Sequence, residues 1–148
     1  MAYDGGKGGA GVIQRIINLI PPHRVLVETH AGDVTLIRNI RRARRTIAID
    51  LDHHNVDRLN RDDALTGVEV ILDDATDWLS HEFAARQSLE WSNDWFFFID
   101  PPYPIGSRSN QEATYYREMT DAEHSDLLRV VRVLPFPCIV CSTPNEMY

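Results

Sequence analysis

Apolar positions along this chain fall into two alternating rhythms. Ile13, Ile16, Ile17 and Ile20 recur on one helical face and run into Pro21-Pro22, which ends the helix. Val25-Leu26-Val27-Glu28 then predicts a strand, and the pattern from Val34 to about Ala43 is helical again. Thr46-Ile47-Ala48-Ile49-Asp50 predicts a second strand, a helix runs through Val56, Leu59 and Asn60, and Val68-Glu69-Val70-Ile71-Leu72 predicts a third strand. Thr76 can cap a helix to about Arg86, and Trp95-Phe96-Phe97-Phe98-Ile99 is short and wholly apolar, as a central buried strand should be. Thr120-Asp121-Ala122-Glu123 is a capping box that opens a helix carrying Leu127, Leu128, Val131 and Leu134 on one face. The last strand is Cys138 to Cys141. Strands and helices alternate five times, which predicts an α/β domain with a mainly parallel sheet, helices on both faces and right-handed crossovers. Ligands of such a sheet sit at the carboxyl ends of the strands, near the switch point.

Composition narrows the class. With 148 residues, 43% hydrophobic and 25% charged, the chain is expected to form one soluble domain over 1–148 rather than a disordered tail. The densest apolar run, Phe96 to Ile99, is far too short to span a membrane, and the start lacks the pattern of an export signal, so a cytoplasmic location is expected. Fifteen basic against twenty-two acidic residues give a net charge of -7, which argues against a general polyanion binder while leaving room for a local basic surface. Cys138 and Cys141 have redox-pair spacing, but they stand in a strand whose alternation points them to opposite faces, as core fillers. A zinc site would need a second pair, so no metal is expected.

The first four predicted strands deliver acids at their carboxyl ends: Glu28, Asp50 with Asp52, Asp73 with Asp74, and Asp100. Helix capping is the plain alternative for any one of them. Asp50 lies eighteen residues beyond Gly32, the distance at which a carboxylate takes the hydroxyls of an adenosine ribose. The loop Ala31-Gly32-Asp33-Val34-Thr35 lacks the glycines that a dinucleotide pyrophosphate needs, which leaves an adenosine ligand without phosphate, and S-adenosylmethionine fits that description. In Asp100-Pro101-Pro102-Tyr103 the prolines stiffen the backbone, so the Asp100 carboxylate and the Pro101 carbonyl present two acceptors to an exocyclic amino group while the Tyr103 ring stacks on the base. An ordinary turn is the alternative.

Tyr3-Asp4-Gly5-Gly6-Lys7, Pro21-Pro22-His23-Arg24-Val25, Glu28-Thr29-His30, Ile49-Asp50-Leu51-Asp52, Asp74-Ala75 and Asp100-Pro101-Pro102-Tyr103 occur in the order found in adenine-specific DNA methylases. The chain resembles the small bacterial and phage branch of that family over nearly its whole length. The resemblance implies a Rossmann-like methyltransferase fold and methyl transfer from S-adenosylmethionine to the N6 amino group of adenine in double-stranded DNA, with the base flipped out of the stack. By position, Tyr3, Gly6 and Lys7 would contact the cofactor's methionine end, Glu28 and Gly32 would shape its pocket, Asp50 would hold the ribose and Asp74 the adenine. Asp100, Pro101, Pro102 and Tyr103 would form the catalytic element that holds the target base.

The chain also departs from the family pattern. Asp33 and Val34 stand where glycine or a small residue is common, and Asp33 would either repel the methionine carboxylate or attract the ammonium. Only 25 residues separate Asp74 from Asp100, which leaves no room for a target-recognition insert. The C-terminal hairpin of the family is expected to be absent after the fifth strand. Arg38, Arg41, Arg42, Arg44 and Arg45 cluster at the amino edge of the sheet, away from Asp100, as a solvated surface or partner contact, whereas Lys7, Arg108 and Arg117 fall on the reactive side. The 105–112 loop has the composition of a lid. His53-His54 are expected to be exposed and to point apart. Two further readings stay open: a degenerate relative that binds cofactor or nucleic acid without turnover, and a methylase acting on cytosine or RNA amino groups.

Overall fold

The computed structural model describes residues 11–86, 94–107 and 115–148. Tyr3, Gly6, Lys7 and Arg108 lie outside them, as does most of the proposed lid. The elements follow one another as α1 (Val12–Leu19), β1 (Val25–Thr29), α2 (Thr35–Asn39), β2 (Arg45–Asp50), α3 (His53–Asn60), β3 (Val68–Leu72), α4 (Ala75–Arg86), β4 (Trp95–Ile99), α5 (Asp121–Val131) and β5 (Cys138–Val140), with single 3-10 turns at Asp63–Leu65 and Ile105–Ser107.

All five strands are parallel and stand in the order β3-β2-β1-β4-β5. The chain therefore builds outward from β1 to β3, then crosses back to place β4 on the other side of β1, and the direction reverses between those two strands. In register, Val25 to Thr29 of β1 face Trp95 to Ile99 of β4. The period-2 alternation sends Leu26, Ala48, Phe96 and Phe98 to one face, where they pack with Leu36 and Ile37 of α2, Leu59 of α3 and the isoleucines of α1. Val27, Ile47, Ile49, Phe97 and Ile99 go to the other face, against Trp78 and Leu79 of α4 and Leu127 of α5. Helices thus cover both faces, and β4 is buried along its whole length.

Several expectations are refined. Helix α2 stops at Asn39 instead of reaching Ala43: Nδ2 of the Asn39 side chain donates to the Thr35 carbonyl at 2.7 Å, and Ile40 turns extended to keep its side chain on the first core face. The cap of α4 is Asp74, not Thr76, since Asp74 Oδ1 accepts from the amides of Thr76 (2.8 Å) and Asp77 (3.2 Å). The capping box at Thr120 and Glu123 forms as expected. Leu128 stays outside the second core, where Val130 packs instead. Cys138 and Cys141 take opposite core faces, neither is in a disulfide, and burial pushes the Cys138 thiol up. The His53 and His54 rings are exposed but do not diverge, for their centroids are 3.8 Å apart. Among the described residues no helix is long and apolar enough to cross a membrane.

Three of the five clustered arginines, Arg38, Arg42 and Arg45, are tied down locally. Arg45, the first residue of β2, sends two nitrogens to Glu69 (3.0 and 2.8 Å) and lies over the Trp95 ring. Arg38 pairs with Asp62, and Arg42 donates to the Ala64 carbonyl.

Candidate functional site

The carboxyl ends of β1, β2, β3 and β4 open onto one cavity of about 420 Å³. Glu28, Asp50, Asp73, Asp74 and Asp100 all line it, so the acids that end four successive strands do converge. Gly32, Asp33 and His30 come from the loop after β1, Ile49 and Phe98 give apolar wall, and Tyr115, Tyr116, Arg117 and Met119 close the side towards α5. Pro102 lines the cavity, Pro101 is buried behind it, and Tyr103 is half-buried and does not belong to the described lining. Among the described residues no group of three or more His, Cys, Asp or Glu has the arrangement of a metal site.

Glu28 is almost fully buried, with 3% of its surface exposed, and its two oxygens accept from the amides of Leu36 (3.3 Å) and Ile37 (2.9 Å). Those amides are otherwise unsatisfied first-turn donors of α2, whose N-cap residue, Val34, has no side-chain oxygen to offer. A strand end therefore caps the next helix from across the loop. Desolvation raises the Glu28 pKa to about 8 against the pull of the two amides, and the charge of Asp100 adds to the rise. Glu28 is accordingly mostly protonated at neutral pH.

Loop 30–34 carries three positive φ angles: His30 at 53°, Gly32 at 50° and Val34 at 49°. Only the middle one is glycine. For a β-branched residue this is a strained conformation, and Val34 is held in it with none of its surface exposed. The loop thus keeps a backbone shape that glycines would adopt freely.

Asp50 fastens that loop. Its Oδ2 accepts from Gly32 N (2.8 Å) and from Asn55 Nδ2 (2.7 Å), and its Oδ1 from Asp52 N (2.9 Å). Asn55 also donates to the Gly32 carbonyl at 2.9 Å, while Arg58 reaches that carbonyl (3.1 Å) and the carboxylate of Asp33 (2.8 Å). Arg58 further donates to Asn55 Oδ1. Asn55 and Arg58 escape a reading of strand-end acids. The available signal was an asparagine one turn into the helix that follows the second strand, a position facing back towards the first loop.

Electrostatically the cavity is less negative than its lining suggests. Asp33 is paired with Arg58, and Glu123 with Arg117, the only arginine or lysine among the described lining residues. The amide and hydroxyl of Thr120 hold Glu123 below the usual carboxylate range. His30, half-buried beside Thr29, is lowered to about 4 by desolvation, against the pull of Asp74, and is neutral at pH 7. Behind it, fully buried His124 makes a 2.8 Å hydrogen bond to the Tyr148 hydroxyl, whose pKa burial pushes up to about 12. No family model matches this chain, and no curated protein matches it.

Proposed function

We propose that the protein is an S-adenosylmethionine-dependent methyltransferase of Rossmann-like fold that modifies the N6 amino group of adenine in DNA. The observation that carries this reading is the convergence of Asp50, at the end of β2, and Asp100 with Pro102, just after β4, on one cavity at the edge where the strand order reverses. The residues present suit the cofactor. Oδ1 of Asp50 accepts one hydrogen bond in the protein and has capacity for a ribose hydroxyl. Asp74, just after β3, can accept from the amino group of the cofactor's adenine, and Ile49, Ala75 and Phe98 offer apolar surface to the purine. When bound, the cofactor supplies a methyl group on a positively charged sulfur. Asp100 and the Pro101 carbonyl would accept both N–H bonds of the target amino group and leave its lone pair directed at that carbon, so the protein's contribution is alignment. Tyr103, half-buried outside the described lining, would supply the stacking surface by turning towards the cavity.

Calorimetric titration with S-adenosylmethionine tests the first half: binding at micromolar to millimolar ligand is expected, and none at millimolar ligand removes the enzymatic reading. Nucleoside analysis of duplex DNA after incubation with methyl-labelled cofactor tests the second. Label in adenine is expected; label in cytosine would reassign the acceptor, and binding without transfer would mark a relative that holds cofactor without turnover.

A further inference from the structure

Arg58 lies outside the cavity lining, on the outer side of loop 30–34, yet its guanidinium reaches two groups of that loop: the Gly32 carbonyl at 3.1 Å and the Asp33 carboxylate at 2.8 Å. Asn55 holds the guanidinium through its Oδ1 and, through its Nδ2, ties the same Gly32 carbonyl to Asp50. Gly32 and Asp33 themselves face the cavity. Resting on the reading that this cavity takes S-adenosylmethionine, we propose that Arg58 is a positioning residue for the cofactor's amino-acid end: it cancels the charge of Asp33 where a carboxylate must pass, while Asp50 and Asn55 hold the loop itself through Gly32. The lining is rich in carboxylates, which suit the ligand's sulfonium and ammonium. The carboxylate is the part of the ligand this lining disfavours. With Asp50 at the ribose, the stretch of loop next to it, Gly32-Asp33, faces whatever leaves the nucleoside, and an unpaired Asp33 there would repel the carboxylate. Pairing it with Arg58 makes that stretch neutral without spending a cavity-facing cation.

The test compares two ligands by calorimetry on the full chain, with thermal melting to confirm folding: S-adenosylmethionine, and methylthioadenosine, which keeps the nucleoside and sulfur but lacks the charged amino-acid end. Arg58→Gln is expected to weaken S-adenosylmethionine about three- to fivefold and to leave methylthioadenosine unchanged. Adding Asp33→Asn to Arg58→Gln should restore S-adenosylmethionine to within about twofold of wild type, because the charge to be cancelled is gone. Equal binding of S-adenosylmethionine by wild type and Arg58→Gln, an equal loss for both ligands, or no recovery in the double variant overturns the assignment. If Arg58→Gln does not fold, Asp33→Asn alone decides: affinity within about twofold of wild type or tighter supports the assignment, and any larger loss overturns it. A wild-type chain that binds neither ligand overturns the functional reading, and this assignment with it.

Discussion

Glu28 and Ile37 are joined by a 2.9 Å hydrogen bond from the Ile37 amide to Oε2 of the carboxyl, across the loop between β1 and α2. The bond makes Glu28 the cap of a helix it does not belong to, and it does so from a site where charge is disfavoured. Its pKa of about 8 exceeds the ordinary 4.5, so the folded protein holds this proton more tightly than the unfolded chain. Its contribution to stability is therefore full below about pH 4.5 and declines as pH rises towards 8. Urea unfolding of wild type and Glu28→Gln at pH 5 and pH 8 should show wild type losing ground relative to the variant at the higher pH. Parallel behaviour of the two would mean that the carboxyl titrates normally.

His30 runs the other way. Its imidazole is lowered from 6.5 to about 4, so its contribution is present above pH 6.5 and is lost as pH falls towards 4. His30→Gln should flatten the acid limb of the stability curve and leave the limb above pH 7 unchanged, as followed by thermal melting.

Val34 sits buried at a φ of 49°. Replacing a buried valine by alanine removes about 1.5 to 2 kcal/mol of transfer free energy, and glycine removes slightly more. Glycine, however, occupies the left-handed region without the penalty of roughly 1 to 2 kcal/mol that other residues bear there. Val34→Gly should therefore be at least as stable as Val34→Ala, reversing the usual order. Denaturant midpoints of the two variants decide it.

Thr46, on β2, is 3% exposed, and its hydroxyl has no hydrogen-bond partner among the described residues. Thr46→Val keeps the shape and removes an unsatisfied polar atom, so it should raise stability by about 1 kcal/mol. An unchanged or lower midpoint would show that the hydroxyl is satisfied in solution.

On the proposed function, Asp100→Ala should abolish methyl transfer and leave S-adenosylmethionine affinity within a few-fold, since Asp100 faces the acceptor base. Asp50→Ala should weaken the cofactor strongly, because it removes a ribose acceptor and also releases Gly32 and Asn55. Equal losses of affinity in the two variants would contradict that division.

The strands β3 and β4 could be drawn from the chain alone, residue for residue, because Val68–Leu72 and Trp95–Ile99 are apolar or alternating runs bounded by polar turns. The convergence of strand-end acids was equally visible, since parallel strands must end on one edge. What was hidden had partners that apolar runs and strand-end acids do not name. Helix α2 is short because of one asparagine side chain and one partly buried isoleucine. The Asn55 and Arg58 clamp has a backbone carbonyl at its centre, and Gly32 looks the same in sequence whether or not it is grasped. Asp74 caps its helix with the same carboxylate that faces the cavity, so neither role excludes the other.

Among the described strands, the only ladder joining the earlier part of the sheet to the later part runs from β1 to β4, residue 25 against 95 through residue 29 against 99. A molecule touching both Asp50 and Asp100 would straddle that seam like a clasp. Occupancy should then slow amide exchange along Leu26 to Thr29, even though those backbone groups never meet the guest.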